Sequence, residues 1–99
     1  MAHQFDIFRT SGGAYVVVIQ SDLLKAMRTR VVAPLFPSGH AGLPIRHLNP
    51  EITIGGDLFV LMPQLLATLT VEELGGHVGT AAHKRDEIIR ALDALLSGI

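Results

Sequence analysis

One stretch of this chain has the 3.6-residue period of a helix, and it comes last. From Thr80 to Leu96 the apolar residues Ile88, Leu92, Leu95 and Leu96, and then Ile99, recur at spacings of three and four. Thr80 is placed to cap that helix and Gly98 to stop it. Asp86 and Arg90 stand four apart with the acid first, the better order for a helical ion pair. Everything before it consists of short β-prone runs separated by turn residues. Phe5–Phe8 and Ala14–Ile19 flank Ser11-Gly12-Gly13 and read as a hairpin. The second run is apolar and rich in β-branched residues, as a strand buried on both faces requires. Arg30–Leu35 reads as a third strand, with Pro34 marking an edge or terminus. Glu51–Ile54 and Leu58–Met62 flank Gly55-Gly56-Asp57, a second hairpin signal. Leu65–Val71 reads as a strand. Gly75-Gly76-His77-Val78-Gly79 reads as a turn into the helix. Phe36–Pro50 holds Pro37, Gly39, Gly42, Pro44 and Pro50 and reads as a long loop, with room for a short hairpin over 43–48. The expected fold is α+β, mainly β: an antiparallel, strongly bent sheet with a C-terminal α-helix.

Composition narrows the classes. At 99 residues the chain has room for one domain, 1–99. It is 48% hydrophobic and only 17% charged, with a mean hydropathy of +0.41. That excludes disorder. So small a globule is mostly surface, and the apolar surplus implies an outward apolar face, such as a partner or dimer interface. No run approaches the ~20 apolar residues of a membrane span, and no export signal is visible, so a cytoplasmic protein is expected, with no membrane partner. The absence of cysteine removes disulfides, thiol nucleophiles and thiolate metal sites. A net charge of −1 argues against direct nucleic-acid binding.

Motifs of catalysis are scarce. Gly75–Thr80 lacks the lysine and the preceding βαβ unit of the Gly-rich phosphate loops. The five histidines, His3, His40, His47, His77 and His83, lack the spacing of metal ligands. Ser38 and His40 sit close in sequence without a nucleophile elbow. No catalytic residue, metal or cofactor is therefore expected. Lys25, Arg28 and Arg30 form a small basic cluster, which a solvated loop explains. Its functional reading, RNA-phosphate contact, lacks neighbouring aromatic rings for base stacking. Two apolar features fit a core less well: Leu23-Leu24 in a polar connection, and the chain end Leu95-Leu96-Ser97-Gly98-Ile99.

The same stretches carry a resemblance. Gln20-Ser21-Asp22-Leu23-Leu24, Arg30-Val31-Val32-Ala33-Pro34-Leu35, Ile54-Gly55-Gly56-Asp57, and His83-Lys84-Arg85-Asp86-Glu87-Ile88 through Gly98-Ile99 together resemble the CcdB toxins of bacterial toxin–antitoxin modules. They are collinear and cover essentially the whole chain. The resemblance implies an SH3-like barrel of the CcdB–MazF type and a homodimer. It also implies binding to the A subunit of DNA gyrase, trapping of the gyrase–DNA cleavage complex, and neutralisation by a cognate antitoxin, with no chemistry performed by the toxin. Such modules serve plasmid maintenance. Carried over by position, the gyrase-binding residues are Leu23, Leu24, Asp93, Ser97, Gly98 and Ile99. Where the family shows Trp before Gly-Ile, this chain has Ser97. Two other readings stand beside it: a MazF-like mRNA endoribonuclease using Arg28 or Arg30, and a CcdB homologue with lost or altered gyrase binding.

Overall fold

The computed structural model describes residues 2–39, 45 and 47–98. Within these, seven strands precede one helix. They are β1 (Asp6–Arg9), β2 (Tyr15–Val18), β3 (Thr29–Pro37), β4 (Glu51–Ile54), β5 (Asp57–Leu61), β6 (Ala67–Thr70), β7 (Gly76–Thr80) and α1 (Arg85–Ser97). Single 3-10 turns at Asp22–Leu24, Pro63–Leu65, Val71–Leu74 and Ala82–Lys84 connect them.

All pairings are antiparallel, in the order β4-β5-β3-β2-β1-β7, with β6 added to β3. β3 spans nine residues and is the element that bends the sheet. Its middle, Val32–Leu35, pairs with β2. On its other side β6 pairs with Thr29–Val32 and β5 with Leu35–Pro37. β5 and β6 thus follow one another along the same side of β3, with the break at 62–66 between them, in the bent sheet expected from the sequence. Pro34 corrects the edge expectation, because β3 is internal. The carbonyl of Pro34 accepts the Met62 N–H at 3.0 Å. In an antiparallel strand a residue's N and carbonyl face the same side. The missing Pro34 N–H therefore falls in the gap between β6 and β5, where it interrupts no ladder.

Side-chain alternation sorts the core into two layers. Ile7, Val17, Ala33, Leu35, Ile52, Phe59 and Leu61 pack with Ile88 of α1 on one face. Phe8, Val16, Val18, Val32 and Leu74 pack on the other, closed by Ala2. β2 is thus buried on both faces, as its apolar run requires. Each such Val or Ile contributes about 1.5–3 kcal/mol. The hairpin glycines Gly55 and Gly56 have φ of 58° and 88°, the paired positive values of a two-residue turn between Ile54 and Asp57.

Three further expectations need correction. The Gly75–Gly79 stretch is an edge strand rather than a turn. β7 pairs with β1 through a register shift that leaves Val78 as the extra residue. His77 secures it, with its ring edge-on to Phe8 at 5.3 Å and Nε2 3.6 Å from Asp6 Oδ1. Thr80 caps the Ala82–Lys84 turn, accepting the Ala82 N–H at 3.1 Å, and α1 starts later, at Arg85. Asp86 meets Arg85 at 3.7 Å instead of Arg90. The 43–48 hairpin falls largely outside the described residues. At its far end Leu48 and Asn49 donate to the Ile45 carbonyl as a turn.

Gly75 has φ +80°, and a Cβ there would overlap the carbonyl oxygen of Arg9. Gly75→Ala should therefore destabilise by roughly 2–4 kcal/mol in denaturant unfolding, against about 1–2 kcal/mol for Gly56→Ala, whose Cβ meets nothing. The Thr70–Glu73 capping box supplies a second expectation. Hydrogen bonds from the Thr70 N–H and side chain hold the Glu73 carboxyl below its ordinary range. A depressed carboxylate stabilises above its unfolded pKa and loses that contribution as pH falls through the folded one. The protection of the Thr70 amide against exchange, relative to its intrinsic rate at each pH, should fall as the Glu73 carboxylate is protonated in acid. In Glu73→Gln that loss of protection in acid should be absent.

Candidate functional site

The residues singled out at the chain end meet in the last turns of α1. Ile88 and Ala91 face the core and are fully buried. The opposite face carries Arg90, Asp93, Ala94 and Ser97. Together with His47 these line a groove of about 590 Å³. The groove continues past Arg90 into a cleft of about 460 Å³ bordered by Ile45, Asn49, Glu51, Lys84 and Glu87. Asn49 is buried and holds that wall. Its side chain accepts the Ile45 N–H at 2.8 Å and donates to the Leu61 carbonyl and to Gln64 Oε1, both at 3.0 Å. His47 stands at φ +67°, an uncommon conformation for a residue with a side chain.

Ser97 donates its hydroxyl to the Asp93 carbonyl at 2.7 Å, and Gly98 closes the helix in the left-handed conformation at φ 74°. Leu96 beside them is 76% exposed. Ile99 lies outside the described residues. Arg90 and His47 belong to this surface although the sequence reading did not assign them to it. The signal for Arg90 was its spacing to Asp93 and Ser97, three and seven residues on, which is one helix face.

Leu23 and Leu24 form a separate group. They lie on the 3-10 turn after β2, where Leu23 is 93% exposed and Leu24 and Met27 are each 50% exposed. Ser21 accepts the Leu23 N–H at 3.1 Å, and Asp22 accepts the Gln4 N–H at 2.8 Å. Among the described residues no hydrogen bond or ion pair joins this turn to α1. One chain therefore brings Asp93, Ser97 and Gly98 together, and Leu23 with Leu24, as two patches.

The basic cluster is divided. Lys25 and Arg28 are exposed, as a solvated loop requires, but Arg30 is 3% exposed. Its guanidinium donates to the carbonyls of Ala2 (3.2 Å), Met27 (2.6 Å), Thr29 (2.9 Å) and Lys25 (2.9 Å). An arginine so committed has no face to offer a phosphate. Strand alternation carried that signal, since Arg30 shares a face with the buried Val32. Among the described residues no cluster of three or more His, Asp or Glu is arranged to hold a metal. No helix among them is long and apolar enough to cross a membrane.

A family model described as "CcdB protein" matches residues 4–98. The chain belongs to the CcdB family. That membership makes it a toxin of the toxin–antitoxin kind. No curated protein matches the chain. Among solved structures, an endoribonuclease from Mycobacterial species is similar, with a TM-score of 0.75 at 15% identity. The match covers 95% of this chain and 89% of that one. The curled sheet with its C-terminal helix is thus the fold of the CcdB–MazF type. The same likeness corrects the expectation that the protein performs no chemistry. An endoribonuclease is built on this frame, so neither the fold nor CcdB membership licenses that conclusion.

Removing the Arg30 guanidinium takes the side-chain donor from the carbonyls of Ala2, Lys25 and Met27 and leaves Thr29 with Gln20 alone. Arg30→Met should cost roughly 2–4 kcal/mol of stability. The exposed Arg28→Ala should stay within about 0.5 kcal/mol. Urea unfolding of both variants checks the contrast.

Proposed function

We propose that this CcdB family member acts as a homodimer, forms a single toxin domain over 1–99, and binds the A subunit of DNA gyrase. Contact is through Asp93, Ser97, Gly98 and Ile99 at the end of α1, together with Leu23 and Leu24. Binding traps the cleaved gyrase–DNA complex, and a cognate antitoxin releases it. The observation that carries this reading is the apolar exposure of the two carried-over patches. Leu23 at 93%, in one patch, and Leu96 at 76%, beside the other, stand in solvent and forgo burial worth about 1.5–3 kcal/mol each, apolar surface of the kind that partner contacts cover. A two-fold axis between protomers would unite patches that one chain keeps apart.

Ser97 tunes this surface. Its hydroxyl is turned back onto Asp93, and it presents no ring where the family has Trp. A large aromatic anchor is worth about 2 kcal/mol or more, roughly thirtyfold in affinity. A weakened or altered gyrase contact is the form in which the departure is expected to appear.

A second reading is RNA cleavage, favoured by the likeness to the mycobacterial endoribonuclease. Of the two arginines it could use, Arg28 is the exposed one.

A cleavage assay with purified gyrase and supercoiled DNA tests the leading reading. Double-strand breaks should accumulate with the wild-type chain, disappear on adding antitoxin, and disappear in a variant lacking Gly98-Ile99 that still melts normally. Toxicity unchanged by that deletion would remove the proposed site. Ser97→Trp should raise gyrase affinity about tenfold or more. Cleavage of RNA that is lost in Arg28→Ala, with gyrase unaffected, would establish the second reading instead.

A further inference from the structure

The segment 22–28 buries none of its own side chains, yet most of its carbonyls are hydrogen-bonded. Local turns account for the carbonyls of Ser21 and Asp22. Arg28 O accepts the Val71 N–H at 2.9 Å. The rest is held from beneath by two buried side chains, Gln20 at 9% exposure and Arg30 at 3%. Gln20 Nε2 donates to the carbonyls of Leu24 at 3.2 Å and Thr29 at 3.1 Å, while its Oε1 accepts the Val31 N–H at 3.0 Å. Arg30 takes the carbonyls of Lys25, Met27 and Thr29.

Burying a guanidinium is costly, and here all its recorded partners are neutral carbonyls. Core packing does not need this arrangement, because an apolar residue beside Val32 would fill the space. What it secures is the course of a loop whose leucines and methionine stand in solvent. An unpinned loop of this length would lose conformational entropy on docking. A pinned one has lost it already.

We propose that Gln20 and Arg30 are positioning residues for partner binding: from under the 21–29 loop they hold its carbonyls so that Leu23, Leu24 and Met27 form a pre-organised apolar contact for the gyrase A subunit. The proposal rests on the gyrase reading above for its partner, but the order of the loop is a property of the free chain.

Two measurements test it. In the free wild-type chain, backbone relaxation should give order parameters for 23–28 near the ~0.85 of the strands. Values below about 0.6 would overturn the proposal outright. Gln20→Met, close in length but without donors, should lower those order parameters. It should also weaken binding to purified gyrase A subunit about tenfold, with the core still cooperatively folded. The decisive readout is a double-mutant cycle with Leu23→Ala. If Gln20 acts through the loop, Leu23→Ala costs much less affinity in the Gln20→Met background than in the wild type. Strict additivity would assign Gln20 a merely structural role and overturn the proposal. If Gln20→Met fails to fold, the wild-type relaxation data decide. If the wild-type chain does not bind gyrase A, the gyrase reading has failed, and relaxation still judges the pinning separately.

Discussion

The architecture depends on β3 being long enough to serve two strands on one side. Nine residues let it carry β6 at its start and β5 at its end, while β2 holds the middle of its other edge. The sheet curls around this strand, and Ile88 of α1 packs on its inner face. Pro34 sits at the handover between β6 and β5, where its missing donor costs no hydrogen bond. The same strand opens with Arg30, whose guanidinium gathers the preceding loop. Sheet curvature, helix seat and loop order therefore share one element.

The polar interior is small and specific. Gln20, Arg30 and Asn49 are the buried polar side chains among the described residues; Gln20 and Arg30 bond to backbone, and Asn49 to backbone and to the Gln64 side chain. No buried side-chain nitrogen or oxygen among those residues lacks a partner. Two of the three fasten the 21–29 loop, and the third fastens the wall facing α1. Hydrogen-bonded polar groups are directional where apolar packing is not. They fix the 21–29 loop and the 45–49 turn in place.

Family and fold point to different levels of function. Membership of the CcdB family makes the chain a toxin-module component, while its frame also carries an endoribonuclease. One fold supports several activities because activity resides in the surface side chains. The surfaces proposed here are the end of α1 and the 21–29 loop. Ser97 and the buried Arg30 are the two features that most change what they can do: Ser97 removes a ring from one, and burial withdraws a cation from the other.

Much of this was legible in order along the chain. The two hairpins, the two-faced burial of β2, a strand within 65–71 and the final helix followed from turn residues, β-branched runs and a 3.6-residue period. These are local properties, and local geometry enforces them. The edge strand β7 was not legible, because its glycines argue against a strand. Only Phe8 and Asp6, some seventy residues earlier, give His77 a reason to extend. Pro34 misled for the same reason, since whether a missing N–H matters depends on which neighbour arrives beside it. The site divides in the same way. Asp93, Ser97 and Gly98 share a helix end by spacing alone, and the sequence determined that much. That Arg30 is buried, that Gln20 joins it, and that Leu23 stands clear of the core were decided only when the chain closed on itself. Those facts depend on which carbonyls come within about 3 Å of a guanidinium, and that distance belongs to tertiary packing.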